Sequence, residues 1–175
     1  MQNAKTLKVF AQSEREVVFT RAFDAPPALL FAAWTKPELI QRWLYGPEDW
    51  PMKVCKIDLR VGGALRFEWH HSKNGSAGHM AMSGVYKEID PPGRLVFTEV
   101  WDEDWAGGEA LSTMTFVESA GKTIYTQTVL YSSHQARDAV LATRMEVGAA
   151  MSYDRLAALL ASSEFQAAPA GAVTA

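Results

Sequence analysis

The apolar positions change their period twice along the chain. From Glu14 to Phe23 they alternate around Val17, Phe19 and Ala22, the two-residue repeat of a strand. Asp24-Ala25-Pro26 then opens a helix, with proline in the first turn, where a missing N–H costs nothing. Leu29, Leu30, Ala33 and Trp34 give that helix its apolar face. Thr35-Lys36-Pro37-Glu38 has the form of a capping box and predicts a second short helix to about Leu44. Gly46 to Pro51 reads as a loop.

Strand periodicity returns after that loop. Turn signals stand at Gly62-Gly63, Asn74-Gly75, Pro91-Pro92-Gly93, Gly107-Gly108 and Gly121. From Ser132 the period lengthens again. Met145, Ala149, Ser152 or Tyr153, Leu156 and Leu160 recur at steps of three and four, and Ser132 with Gln135 resembles a capping box. The pattern predicts one strand, two short helices, about six antiparallel strands and one long helix. That is an α+β plan, a curved sheet with a helix laid across one face.

Turn chemistry fixes the strand registers. Asn74-Gly75 suits a type I′ turn, which needs positive φ at both positions. With that pair at the tip, His70 faces His79, Phe67 faces Met82 and Trp69 faces Met80. The turn at Asp90 to Gly93 sets Met82 opposite Trp101, Tyr86 opposite Phe97 and Glu88 opposite Leu95. The turn near Gly121 sets Met114 opposite Gln127 and Phe116 opposite Tyr125. One sheet face then gathers Phe67, Trp69, Met80, Met82, Tyr86, Phe97, Trp101, Met114 and Phe116, with Glu99 and Gln127 among them. Thr113, Thr115, Thr126 and Thr128 lie on the reverse face.

Composition sharpens this picture. The 175 residues predict one domain over 15–162, with a flexible arm over 1–14 and a disordered tail over 163–175. Net charge is −3, so the basic footprint of a nucleic-acid binder is absent. Cys55 is the lone cysteine, no secretory signal is visible and no apolar run reaches the ~18 residues of a membrane span. These features point to a cytoplasmic protein without a membrane partner. The 6 Trp, 8 Phe, 5 Tyr and 7 Met fit either a heavy core or the lining of a cavity. Met145 on the long helix would close that volume from the other side.

Glu99 is the most informative candidate. A carboxylate mid-strand among aromatics must be paired, protonated or wet. Gly84 falls opposite it and leaves space. One account is an ion pair with an arginine such as Arg144; another is a polar anchor in an apolar pocket, or an acid/base group there. His70 and His79 with Glu68 have donor types that ligate zinc, but the pairing sets them on the outer face, and neither metal nor cofactor is expected. His71 lies on the apolar side and His134 in the first turn of the long helix. Cys55 sits where the alternation shifts, which predicts a bulge. Asp102-Glu103-Asp104 with Trp105 reads as a solvated loop. Phosphate loops, nucleophile elbows and zincin motifs are absent.

Several stretches carry a family resemblance. They are Phe23-Asp24-Ala25-Pro26 to Ala33-Trp34-Thr35, Pro37-Glu38 to Trp43, Gly62 to Phe67, Gly84-Val85-Tyr86-Lys87-Glu88-Ile89-Asp90-Pro91-Pro92-Gly93-Arg94-Leu95-Val96-Phe97-Thr98, and Ser152 to Leu156. Together the chain resembles the family named after the activator of the 90-kDa heat-shock chaperone ATPase, within the START-like, birch-pollen-allergen-like SRPBCC superfamily. The resemblance implies a helix-grip fold of six to seven strands wrapped around a long C-terminal helix, with a deep cavity between them. It implies a hydrophobic small-molecule ligand, lined by Phe67, Trp69, Met80, Met82, Tyr86, Phe97, Glu99, Trp101, Met114, Gln127 and Met145. The superfamily also includes cyclases and hydrolases, for which Glu99 would be the acid/base. A chaperone-interacting or stress-response module is a third reading. Against it, the similar eukaryotic activators carry a further N-terminal domain, which residues 1–14 are too short to replace. An exposed edge strand offers a homodimer contact.

Overall fold

In a computed structural model of the chain, residues 7–73 and 78–166 are described. The strands are β1 Lys8–Ala11, β2 Glu16–Phe23, β3 Met52–Ile57, β4 Ala64–His70, β5 His79–Asp90, β6 Arg94–Trp101, β7 Ala110–Ser119 and β8 Lys122–Leu130. The helices are α1 Pro27–Thr35, α2 Pro37–Ile40, α3 His134–Ala142, α4 Met145–Leu160 and α5 Ser163–Gln166. All eight strands join one antiparallel sheet in the order β1-β2-β8-β7-β6-β5-β4-β3. This is the α+β helix-grip plan, with one strand more than expected. The extra strand is β1, which takes part of the predicted arm and pairs Lys8 to Ala11 with Thr20 to Val17.

Two registers match the turn chemistry throughout. His70 faces His79 and Phe67 faces Met82; Met114 faces Gln127 and Phe116 faces Tyr125. The Asn74-Gly75 turn itself lies outside the described residues. Between β5 and β6 the expected register holds at Met82–Trp101 and Tyr86–Phe97 and then slips by one residue, so Glu88 faces Val96 rather than Leu95. A bulge at Lys87 absorbs the extra residue. A second shift between Met52 and Val54 fits the bulge expected near Cys55.

The long helix is broken. α3 ends at Ala142 and α4 begins at Met145, with Arg144 in the left-handed region at φ 57°. Thr143 turns its hydroxyl back onto the Val140 carbonyl, and Arg144 adopts a conformation that few non-glycine residues visit. The cap differs too. Ser133, not Ser132, accepts the Ala136 N–H, while Ser132 donates to the Gly107 carbonyl. Likewise the Thr35 hydroxyl donates to Phe31 O instead of capping α2, which spans only Pro37–Ile40. At the C-terminus the packed region runs past Ser162, because α5 buries Phe165 against the core. Residues 167–175 of the predicted tail lie outside the described residues.

The core fills the space between the inner sheet face, α1 and α4. Trp34 on α1 stacks on Tyr125 of β8, with ring centroids 5.6 Å apart, and meets Trp43 edge-on at 4.5 Å. Trp43 donates its indole N–H to the Ala33 carbonyl, so its one polar atom is satisfied at full burial.

Candidate functional site

A cavity opens between the sheet and α4, in two adjoining chambers. The outer chamber has a volume of about 510 Å³. Its walls are Trp69, Met80, Trp101 and Trp105 on the sheet side, Leu44 to Pro47 and Trp50 on the loop side, and Met145 to Ser152 on α4. The inner chamber holds about 160 Å³ and is lined by Phe67, Met82, Phe97, Glu99, Met114 and Gln127, with Phe19, Trp34 and Tyr153. Leu44, Trp69, Trp101, Met145, Ala149 and Ser152 belong to both, so the chambers share a throat.

The outer walls are indoles. Trp69 stacks on Trp101 at 5.8 Å, and Trp101 meets Trp105 at 4.8 Å. Trp69 is fixed by its N–H, which donates to Leu44 O at 2.7 Å. The facing loop is fixed by α4. Arg155 donates to the carbonyls of Tyr45 and Gly46 and lies 3.8 Å from the Tyr45 ring centroid, and Ser152 also donates to Tyr45 O. The exposed residues Thr143 and Arg144, at the helix break, stand on the rim.

The inner chamber carries the polar groups. Gln127 donates from Nε2 to Ser112 Oγ at 2.8 Å and to Glu99 Oε1 at 3.3 Å. Its carbonyl oxygen accepts from the hydroxyls of Tyr125 at 3.1 Å and Tyr153 at 3.2 Å. Every polar atom of this amide is therefore engaged. Glu99 is half-buried and has no cationic partner among the described residues. Desolvation raises its pKa to about 7, and hydrogen bonding from Ser112 and Gln127 offsets part of that rise. Burial pushes the Tyr125 and Tyr153 hydroxyls upward as well, so both are neutral donors.

The expected partner of Glu99 is absent. Arg144 is exposed and meets Glu146 at 3.6 Å. The arginine inside the core is Arg21, whose Nη2 lies 2.9 Å from Asp154 Oδ1. The space at Gly84 also differs from expectation. A Cβ there would collide with the Thr98 carbonyl oxygen, so this glycine admits a neighbouring backbone rather than a ligand.

A model of the family described as activator of Hsp90 ATPase homolog 1-like protein matches residues 24–161. The chain belongs to this family. A crystal structure of a Rhodobacter sphaeroides protein is 33% identical over 89% of this chain and 98% of its own, with a TM-score of 0.82. A Chromobacterium violaceum protein is 27% identical over 84% of this chain and 97% of its own, with a TM-score of 0.69. The solution structure of an AHSA1-like protein from Aeromonas hydrophila shares the fold, at 22% identity, 82% and 94% coverage and a TM-score of 0.63. No curated protein matches the chain. No described helix is long and apolar enough to cross a membrane.

Within this family member, each predicted lining residue except Tyr86 borders one chamber or both. Tyr86 is fully buried and packs against Phe97 at 6.0 Å. Sequence reasoning missed Phe19, Trp34, Tyr153, Tyr45, Trp50 and Trp105. Phe19 shares inward parity with Val17 and Trp34 sits on the apolar face of α1, so both carried a usable signal. Trp50 and Trp105 come from segments whose polar neighbours hid them. His71 pairs with Asp49 at 3.0 Å and packs edge-on against Trp50, and His134 pairs with Asp138 on its own helix. Cys55 is half-buried on the edge strand, and burial pushes its thiol up to about 12, away from nucleophile chemistry.

Proposed function

We propose that this protein binds a hydrophobic small molecule with one hydrogen-bonding end. The apolar body occupies the indole-walled outer chamber and the polar end meets Glu99, which Gln127 orients. The observation that carries this reading is the placement of Glu99 and Gln127 in the inner chamber, beyond the indole walls of the outer one. Binding pockets combine these two features, and the total volume lies within their usual range of roughly 300–1,000 Å³. With Gln127 holding Glu99 in place, a ligand hydroxyl or amide can exchange hydrogen bonds with a group already oriented.

A second reading is favoured by the placement of Glu99 in the inner chamber, where Gln127 and Ser112 are its hydrogen-bonding neighbours and desolvation raises its carboxyl to about 7. A carboxyl poised there serves as a proton donor or acceptor at neutral pH, as a cyclase or hydrolase needs. Native mass spectrometry of protein purified from its own cells tests the first reading. The expected result is a retained organic molecule that Ala149→Phe, in the throat, releases. A chain that carries nothing, and whose tryptophan fluorescence no apolar probe perturbs, would sink it. Turnover of an identified ligand that Glu99→Gln abolishes while binding persists would favour the enzyme.

A further inference from the structure

The outer face of β4 and β5 carries a cluster that the cavity does not use. Side chains alternate across a strand, so Phe67 and Trp69 face the cavity while Arg66, Glu68 and His70 face outward. His79 faces His70 across the hairpin. We propose that Glu68, His70 and His79 form a site for a borderline divalent metal ion, Zn²⁺ first among them.

Distances support the assignment. Glu68 Oε2 lies 3.5 Å from His70 Nε2 and 3.5 Å from His79 Nε2. The ligand atoms of all three lie within 4.8 Å of one another. Ligands held at 2.0–2.1 Å on a tetrahedral zinc stand ~3.4 Å apart, so the carboxylate is already at bonding separation from both imidazoles. The closure still required is a small rotation of two partly exposed rings, which stand edge-to-face at 79°.

The carboxylate is oriented for this role. Arg66 Nε donates to Glu68 Oε1 at 2.9 Å and leaves Oε2 aimed at the imidazoles. Hydrogen-bonded ligand carboxylates are usual around bound metals. The cationic charge of Arg66 is held by Asp102, which accepts from both terminal nitrogens of the guanidinium. Arg66 brings one positive charge against the two carboxylates of Glu68 and Asp102. Two imidazole nitrogens and one carboxylate oxygen suit zinc or a neighbouring transition metal, not calcium or magnesium, which take six or more oxygens. Three protein ligands leave a fourth position for water. The ion would tie β4 to β5 beside their turn.

The experiment uses the full untagged chain and zinc alone, in competition with a chromophoric chelator. One Zn²⁺ per chain is expected, with a dissociation constant at or below about 10 µM. Glu68→Gln and His79→Ala should each weaken binding at least tenfold, and His134→Ala should leave it unchanged. Imidazole NMR of the wild-type chain gives the same answer without a variant: zinc should shift His70 and His79 but not His134. Absence of binding would overturn the proposal, as would zinc that binds all variants alike or shifts His134 equally.

Discussion

Gln127 donates to Glu99 with one end of its amide and accepts from the hydroxyls of Tyr125 and Tyr153 with the other. The amide is therefore a fixed coupling between β6, β8 and α4. Replacing it with leucine removes one hydrogen-bond partner each from Tyr125, Tyr153, Ser112 and Glu99, leaving a longer Tyr153–Tyr125 contact of 3.4 Å. An unsatisfied buried group costs about 1–3 kcal/mol. Gln127→Leu should lose about 2 kcal/mol in urea unfolding, and Gln127→Glu should lose more near neutral pH, because it sets a second carboxyl beside Glu99. Loss from neither variant would show that the network contributes nothing to the fold.

Glu99 should make stability depend on pH. Its carboxyl rises from an ordinary 4.5 to about 7 in the fold. The folded chain thus keeps a proton that the unfolded chain releases. The stability this group contributes is fully present below about pH 4.5 and is lost as pH rises through 7. Glu99→Gln should therefore exceed the wild type at pH 8 by on the order of 1–3 kcal/mol, with the gap narrowing toward pH 5. Denaturant midpoints at the two pH values measure this. An equal gap at both would contradict the raised pKa.

Arg21 and Asp154 should respond unequally to substitution. The guanidinium is buried and touches Asp154 at 2.9 Å, without an aligned hydrogen bond, and lies 5.1 Å from the Phe23 ring centroid. Asp154→Asn leaves a buried cation uncompensated and should cost about 2 kcal/mol, less than a fully buried pair because Asp154 is partly exposed. Arg21→Met removes the charge and should change stability by under about 1 kcal/mol. Thermal melts of the two variants check the asymmetry.

Gly84→Ala should be among the costliest single-methyl changes. The new Cβ meets the Thr98 backbone, not a flexible side chain. Overpacking of this kind costs about 1–3 kcal/mol. Gly93→Ala, whose Cβ would find nothing nearer than 4.0 Å, is the matched control.

The hairpins were legible because their turns are chemical. The turns at Ala120-Gly121 and at Asp90 to Gly93 set pairings that one-sided burial then enforces, and Glu99 came out on the cavity side through the second of them. The slip at Lys87 has no local signal, since any residue can occupy a bulge. The break before Arg144 was hidden in the same way. Thr143 and Arg144 are ordinary helix residues, and the apolar period runs through them without a glycine or proline. Arg21 was passed over because its charge suggested the outer face, although its position in β2 shares inward parity with Phe19 and Phe23. Trp50 and Trp105 reached the cavity through loop paths that no periodicity encodes.

Strand β4 sets Leu65, Phe67 and Trp69 against the interior and Arg66, Glu68 and His70 against water. Its two faces are thus independent in composition but locked in phase. Either set tolerates a change of side chain on its own terms. Inserting one residue between Leu65 and Trp69 exchanges part of the two sets at once, driving ionic groups inward and exposing an indole. For this segment, chain length is under tighter constraint than residue identity.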